Sequence, residues 1–152
     1  LMLLAFAILF PTVPVMPVLA DSEFAGGSGS PEDPYLIADA AQLNTIRSYP
    51  QSHFKLAVDI DLSGYETADA GRGWKPIEGF SGTLDGAGHK ITGLSVKRGD
   101  TDSVGLFATI FAGTVLNLGI QAAHVEGNDD TGIVAGLSSS ATLQNVYTSG
   151  YV

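Results

Sequence analysis

The stretch Thr131–Val152 reads TGIVAGLSSSATLQNVYTSGYV, and two earlier stretches restate its pattern: Val104–Ile120, VGLFATIFAGTVLNLGI, and Phe80–Val96, FSGTLDGAGHKITGLSV. Each holds a glycine-led apolar pair, a small-residue turn and a short strand of the form I/V/L-x-G/N-L/V. Ile91, Val115 and Leu143 are taken as the starts of equivalent strands. The spacing is then about 24 to 28 residues, a period typical of solenoids, because a unit that short cannot bury its apolar face alone. Antiparallel sandwiches have no reason to restate a unit. A β-helix does, since it stacks equivalent strands at about 4.8 Å per turn. The matched pairs Leu116/Gln144 and Asn117/Asn145 favour stacking, because like side chains ladder between parallel, in-register strands. The expectation is an all-β, right-handed parallel β-helix, its hand following from the rule for parallel crossovers.

Working outward, Phe54–Leu62 (FKLAVDIDL) alternates, with Phe54, Leu56, Val58, Ile60 and Leu62 on one side, and predicts one half-buried strand. Tyr35–Ile37 predicts another. Asp39–Arg47 (DAAQLNTIR) predicts a short helix: Asp39 caps it, Gln42 stands at capping-box spacing, and Leu43 with Ile46 form its apolar face. That helix is placed to cover the open first turn, whose unpaired backbone would otherwise invite association. At the other end the repeat runs to Tyr151-Val152 without a capping element, so further turns are expected to follow. Glu23–Pro34 (EFAGGSGSPEDP), within a 21–34 segment, reads as a linker.

The first 20 residues are different in kind. LMLLAFAILF is uninterrupted and apolar, then Pro11, Pro14 and Pro17 break it, and Val18-Leu19-Ala20 precede Asp21. A spanning helix needs about 20 continuous apolar residues, whereas small residues before a cut suit a signal peptide ending near Ala20. Its start reads as truncated, since residue 1 is Leu and no basic residue precedes the apolar run. The expected organisation is therefore 1–20 signal peptide, 21–34 linker and 35–152 capped turns.

Sixteen Asp and Glu oppose seven Lys and Arg, a net charge of −9. Such a surface repels phosphate backbones and argues against nucleic acid as a partner. No cysteine is present, so stability rests on stacking and burial.

These residues resemble the N-terminal turns of bacterial surface proteins with GLUG-type repeats, which are similar to filamentous-haemagglutinin-like β-helices. SGSPEDPYLIADAAQLNTIR, FKLAVDIDLSG and GWKPI carry the resemblance together with the repeats, and 131–152 looks like one GLUG repeat. Gly132-Ile133-Val134-Ala135-Gly136 and Asn145-Val146-Tyr147-Thr148-Ser149-Gly150 fill the motif's places. Ala135-Gly136 replace a single glycine, and Val146 stands where cysteine is common. The resemblance implies a large secreted or cell-surface protein, often an adhesin. Similar repeats accompany immunoglobulin A peptidases, but their HExxH motif is absent from this sequence.

Few residues invite chemistry. Asp59 and Asp61, two apart on one predicted strand, could offer carboxylates to calcium; they read more simply as its polar face, with Asp61 opening the Ser63-Gly64 turn. Asp85, His89 and Lys90 could form an acid/base cluster, yet Asp85-Gly86 and Ala87-Gly88 are turn dipeptides. His53 and His124 are isolated, and Asn128-Asp129-Asp130 reads as a solvated tip. Gly26–Gly29 lacks the context of a phosphate loop. Asn117 with Asn145, and Thr114 with Thr142, read as structural ladders. Trp74, Tyr65 and Phe80 could stack on sugars but read as a core plug. No catalytic, cofactor or metal site is assigned.

The expected function is an exported, non-enzymatic scaffold for adhesion or display toward a glycan or matrix protein. The alternatives are the start of a carbohydrate-active β-helix enzyme and the ancillary stalk of a secreted peptidase.

Overall fold

The computed structural model describes residues 23–152, so the apolar 1–20 segment lies outside the described residues. The described residues form a parallel β-solenoid of about three turns, covered at its first end by a short α-helix. Its elements are β1 (Tyr35–Ile37), α1 (Ala40–Thr45), β2 (His53–Leu56), β3 (Ile60–Asp61), β4 (Thr83–Asp85), β5 (Lys90–Thr92) and β6 (Ser95–Lys97). There follow β7 (Phe107–Phe111), β8 (Thr114–Leu116), β9 (Gly119–Glu126), β10 (Ala135–Ser139), β11 (Thr142–Gln144) and β12 (Tyr147–Tyr151).

Three parallel sheets wall the stack. The first runs β1-β2-β4-β8-β11, the second β3-β5-β9-β12 with β6 also on β9, and the third pairs β7 with β10. Phe54, Leu84, Val115 and Leu143 stand in one inward column, so successive turns take 30, 31 and 28 residues. Ile60, Ile91, Ile120 and Thr148 form the second sheet's column. Phe54, Phe80 and Phe107 climb the interior with ring centroids 6.4 and 4.6 Å apart. Chain reversal between sheets is sharp enough to need positive φ at Asn117 and Asn145, a conformation asparagine tolerates better than most residues.

Two expectations are corrected. The residue equivalent to Val115 is Leu84, and Ile91 belongs to the next column, beside Ile120. The reason is a corner: four residues, Gly86 to His89, join β4 to β5, whereas two, Asn117 and Leu118, join β8 to β9. A match on strand pattern alone slides across that difference. Phe54–Leu62 is likewise two strands on two sheets, β2 and β3, with a corner at 57–59. Phe54, Leu56, Ile60 and Leu62 are buried, but Val58 at the corner is 43% exposed.

The first turn is covered. Asp39 accepts from the Gln42 amide at 2.8 Å, capping α1, and Gln42 Oε1 accepts from the Ala38 amide at 2.8 Å. That is a capping box shifted back by one residue. Leu43 and Ile46, the latter in a following 3-10 turn, are fully buried. The glycine- and serine-rich segment lies on the same end. Phe24 is buried and stacks on Tyr35 at 4.3 Å. Residues 25 and 26 bond the free edge of β1, with Ala25 donating to the Leu36 carbonyl and Leu36 to that of Gly26.

Candidate functional site

With the interior filled by aliphatic and aromatic side chains, chemistry is left to the outward positions. On the first sheet these form two columns: His53, Thr83, Thr114 and Thr142, then Lys55, Asp85, Leu116 and Gln144. Alternation along each strand puts both columns opposite the core. The loop holding Pro31 and Pro34 overhangs them and walls a groove of about 140 Å³ with His53, Lys55, Thr83 and Asp85. The His53 amide donates to the Gly29 carbonyl at 3.0 Å, tying loop to sheet. The groove offers one hydroxyl, an imidazole, an ammonium and a carboxylate beside apolar proline rings, suited to shallow polar contacts.

The fold places each sequence-derived candidate. Asp59 sits at the corner before β3, where Oδ1 accepts from the Lys90 amide at 3.1 Å and lies 3.1 Å from His89 Nδ1. The Lys90 amide, helped by His89, holds its pKa below the usual carboxylate value, against a smaller upward push from partial burial. Asp61 turns elsewhere, accepting from the Ser63 amide and hydroxyl at 2.9 and 3.0 Å, which lowers its pKa also. The two carboxylates therefore serve separate turns instead of converging. Among the described residues, no three His, Cys, Asp or Glu side chains are grouped to share a metal ion.

Asp85 accepts from the Ala87 amide at 2.8 Å and from Asn117 Nδ2 at 3.1 Å. His89 faces Asp59, so Asp85, His89 and Lys90 do not address one point. Asn145 Nδ2 in turn donates to Asn117 Oδ1 at 3.0 Å. The expected asparagine ladder thus exists and has an aspartate as its first member. His124 Nε2 lies 3.0 Å from Glu126 Oε1, in a different turn from His53. Asn128 donates to Asp102 at 2.8 Å, and the Asp130 amide to Asp129 Oδ1 at 3.0 Å. Trp74 is fully buried, meets Tyr65 edge-on at 5.1 Å and donates from Nε1 to the Leu106 carbonyl at 3.0 Å.

One constellation was not visible in the sequence. Arg98, only 7% exposed, donates to Asp69 Oδ2 at 2.6 Å and to the Trp74 carbonyl at 3.4 Å. Asp69 has φ of +50°, which aims a loop carboxylate inward from 29 residues away. Arg72 pairs with Asp100 beside it. Arg98 also lines a cleft of about 100 Å³ with Lys75, Glu78, Thr101 and Asp102. Long-range pairs between loops leave no periodic trace, so only the rarity of basic residues could have pointed here.

Capped turns, in-register columns and an outward groove define a β-solenoid scaffold. No family model matches the chain, and the GLUG-type resemblance rests on the residue pattern alone. The chain is 40% identical over 139 residues to Halomucin of Haloquadratum walsbyi, a match covering 83% of this chain and 2% of that protein. It is 39% identical over 129 residues to a protein of Evansella cellulosilytica provisionally described as a Gly-rich membrane protein, covering 80% and 15%. The chain therefore spans a small part of these curated relatives. Among solved structures, one provisionally described as an immunoglobulin A1 protease of Bacteroides ovatus shares the fold, with a TM-score of 0.63 and 24% identity. That match covers 84% of this chain and 41% of the other. Among the described residues no helix is long and apolar enough to cross a membrane.

Proposed function

We propose that this chain forms the capped first turns of a longer, exported surface protein, a non-enzymatic rod that displays ligand-binding faces. The carrying observation is the outward register of the first sheet: threonine repeats at Thr83, Thr114 and Thr142, and in the neighbouring column Lys55, Asp85, Leu116 and Gln144 succeed one another with no acid or base repeated. Polar groups repeated at a fixed spacing suit adhesion by many weak contacts, where avidity exceeds single-site affinity by about 100-fold or more. The membrane description of one relative supports placement on a surface, and the small share of both relatives that this chain spans supports a longer protein. The Leu1–Ala20 segment would supply export by cleavage near Ala20. A glycan or matrix protein is the ligand class this surface favours.

The test is a glycan and matrix-protein array probed with the chain as monomer and as multivalent beads. The proposal expects weak monomer signals that beads raise at least about 100-fold. Array binding no stronger on beads than as monomer, or none at all, rejects it. The fold shared with the Bacteroides ovatus structure favours a second reading, an ancillary stalk of a secreted peptidase. A peptidase domain on the same polypeptide would select it.

A further inference from the structure

The loop that overhangs the first sheet is a fixed wall. The Ser28 and Gly29 amides both donate to the Asp33 carbonyl, at 2.9 and 3.0 Å, and the Asp33 amide donates to Ser30 Oγ at 3.1 Å. The Gly29 carbonyl then takes the His53 amide, which fastens the closed loop to β2. Pro31 and Pro34 are thereby held at the edge of the groove, and Leu116 borders it two strands later.

The polar groups between these apolar borders are positioned but uncommitted. Asp85 engages one oxygen only: Oδ1 accepts from both the Ala87 amide and Asn117 Nδ2. That orients the carboxylate and leaves Oδ2 without a partner among the described residues. Lys55 is the register partner of Asp85 on the neighbouring strand, about 4.8 Å along the stack, yet no ion pair joins them. Lys55 Nζ, Thr83 Oγ1 and the His53 ring likewise have no partner among the described residues. By contrast Arg72, Lys97 and Arg98 each hold a carboxylate.

We infer that this groove is a subsite for one neutral pyranose with adjacent hydroxyls. The inference rests on the surface reading above and decides between its two ligand classes, glycan over protein. A vicinal diol matches the floor: one oxygen accepts from Lys55 Nζ while its neighbour donates to Asp85 Oδ2. Thr83 and His53 offer further polar partners, and the proline rings face the sugar's C–H surface. An acidic sugar would lose beside Asp85 what it gained beside Lys55, so a neutral ring suits the pair better. An extended peptide fits poorly. Peptides join sheets by main-chain bonds at a free edge, whereas β2, β4 and β8 are each paired on both sides and the groove floor is a sheet face. A volume of about 140 Å³ is under half of the roughly 300 Å³ at which drug-sized pockets begin, room for a single ring.

The test titrates the chain with the methyl glycosides of glucose, galactose and mannose and follows proton–nitrogen correlation spectra. At least one glycoside is expected to shift the amides of His53, Lys55, Thr83 and Asp85 saturably, with a Kd of about 1 mM. Lys55→Ala and Asp85→Asn should each weaken it about 10-fold or more, the loss of one hydrogen bond to a charged group. Asp85→Asn keeps an oxygen for Ala87 and Asn117 and puts a donor where Oδ2 was, so its melting temperature should match the parent's. Glucuronate should bind no tighter than glucose. The inference is overturned if none of the three glycosides shifts these amides, if both substitutions leave binding unchanged, or if glucuronate binds about 10-fold tighter. Saturable shifts from a triple-helical collagen peptide alone also overturn it and make a protein the occupant. The array separates the two readings: a glycan signal on beads that survives both substitutions keeps the surface reading and rejects this subsite. Shifts at the four amides with a silent array do the reverse.

Discussion

Trp74 Nε1 donates to the carbonyl of Leu106 at 3.0 Å, deep inside the stack and 32 residues along the chain. One indole thereby fills the first complete turn and fastens it to the next. Trp74→Phe removes one of the two donors to the Leu106 carbonyl, which keeps the Ile77 amide at 3.1 Å, and leaves part of the indole volume empty. It should cost about 1 to 3 kcal/mol, and Trp74→Ala about 3 to 5 kcal/mol. Urea unfolding at neutral pH measures both.

The Arg98–Asp69 pair should make stability depend on acid. The hydrogen bond from Arg98, then its charge, holds the Asp69 pKa below its ordinary value, against a smaller opposing push from partial burial. A carboxyl lowered by folding stabilises above its unfolded pKa, and that contribution is lost as pH falls through the folded one. Asp69→Asn keeps a residue that tolerates positive φ but removes the charge. The variant should melt below the parent at pH 7, and the gap should close by about pH 2. A gap that stays constant down to that pH contradicts the assignment. Asp59 and Asp61, lowered in the same direction, leave an acid slope in the variant as well.

At the corner, Asn117 combines two duties that substitution separates. It sits at φ of +51° and bonds both Asp85 and Asn145. Asn117→Ala loses both and should cost about 2 to 3 kcal/mol, while Asn117→Gly recovers about 1 kcal/mol of backbone strain. Equal losses for the two variants would mean that the backbone conformation is not held in solution.

Two glycines distinguish backbone from side-chain approach. A Cβ on Gly82 would lie 1.9 Å from the Ser52 carbonyl oxygen, backbone of the neighbouring turn. One on Gly119 would meet the Tyr147 ring at 2.3 Å, and Tyr147 is half-exposed and free to swing outward. Gly82→Ala should cost about 3 kcal/mol or more, because strands must part. Gly119→Ala should cost under about 1 kcal/mol. Thermal melts of the two variants decide it.

These relationships show where a sequence exposes a solenoid and where it hides one. Val104, Val115 and Ile120 find Thr131, Leu143 and Thr148 at nearly constant spacing, so the last two copies are legible as a repeat. Leu84 is not, because the four-residue corner at 86–89 displaces everything after it by two positions. Val58 keeps its alternation through a corner, since a two-residue period says nothing about which sheet a residue joins. The capping helix was readable because Asp39 and Gln42 are local signals. Arg98 with Asp69 was not, being a pair that only the coiled chain brings together. The groove beneath Pro31 and Pro34 was hidden for the same reason: a segment that reads as a spacer folds back onto the outer face.

The central claim is the register of the stack, since columns, ladder and display face all follow from it. Backbone proton–proton Overhauser contacts between neighbouring strands measure it directly. The account predicts contacts linking Thr83 and Leu84 to Thr114 and Val115, and those in turn to Thr142 and Leu143. Contacts placing Ile91 beside Val115 instead would contradict it.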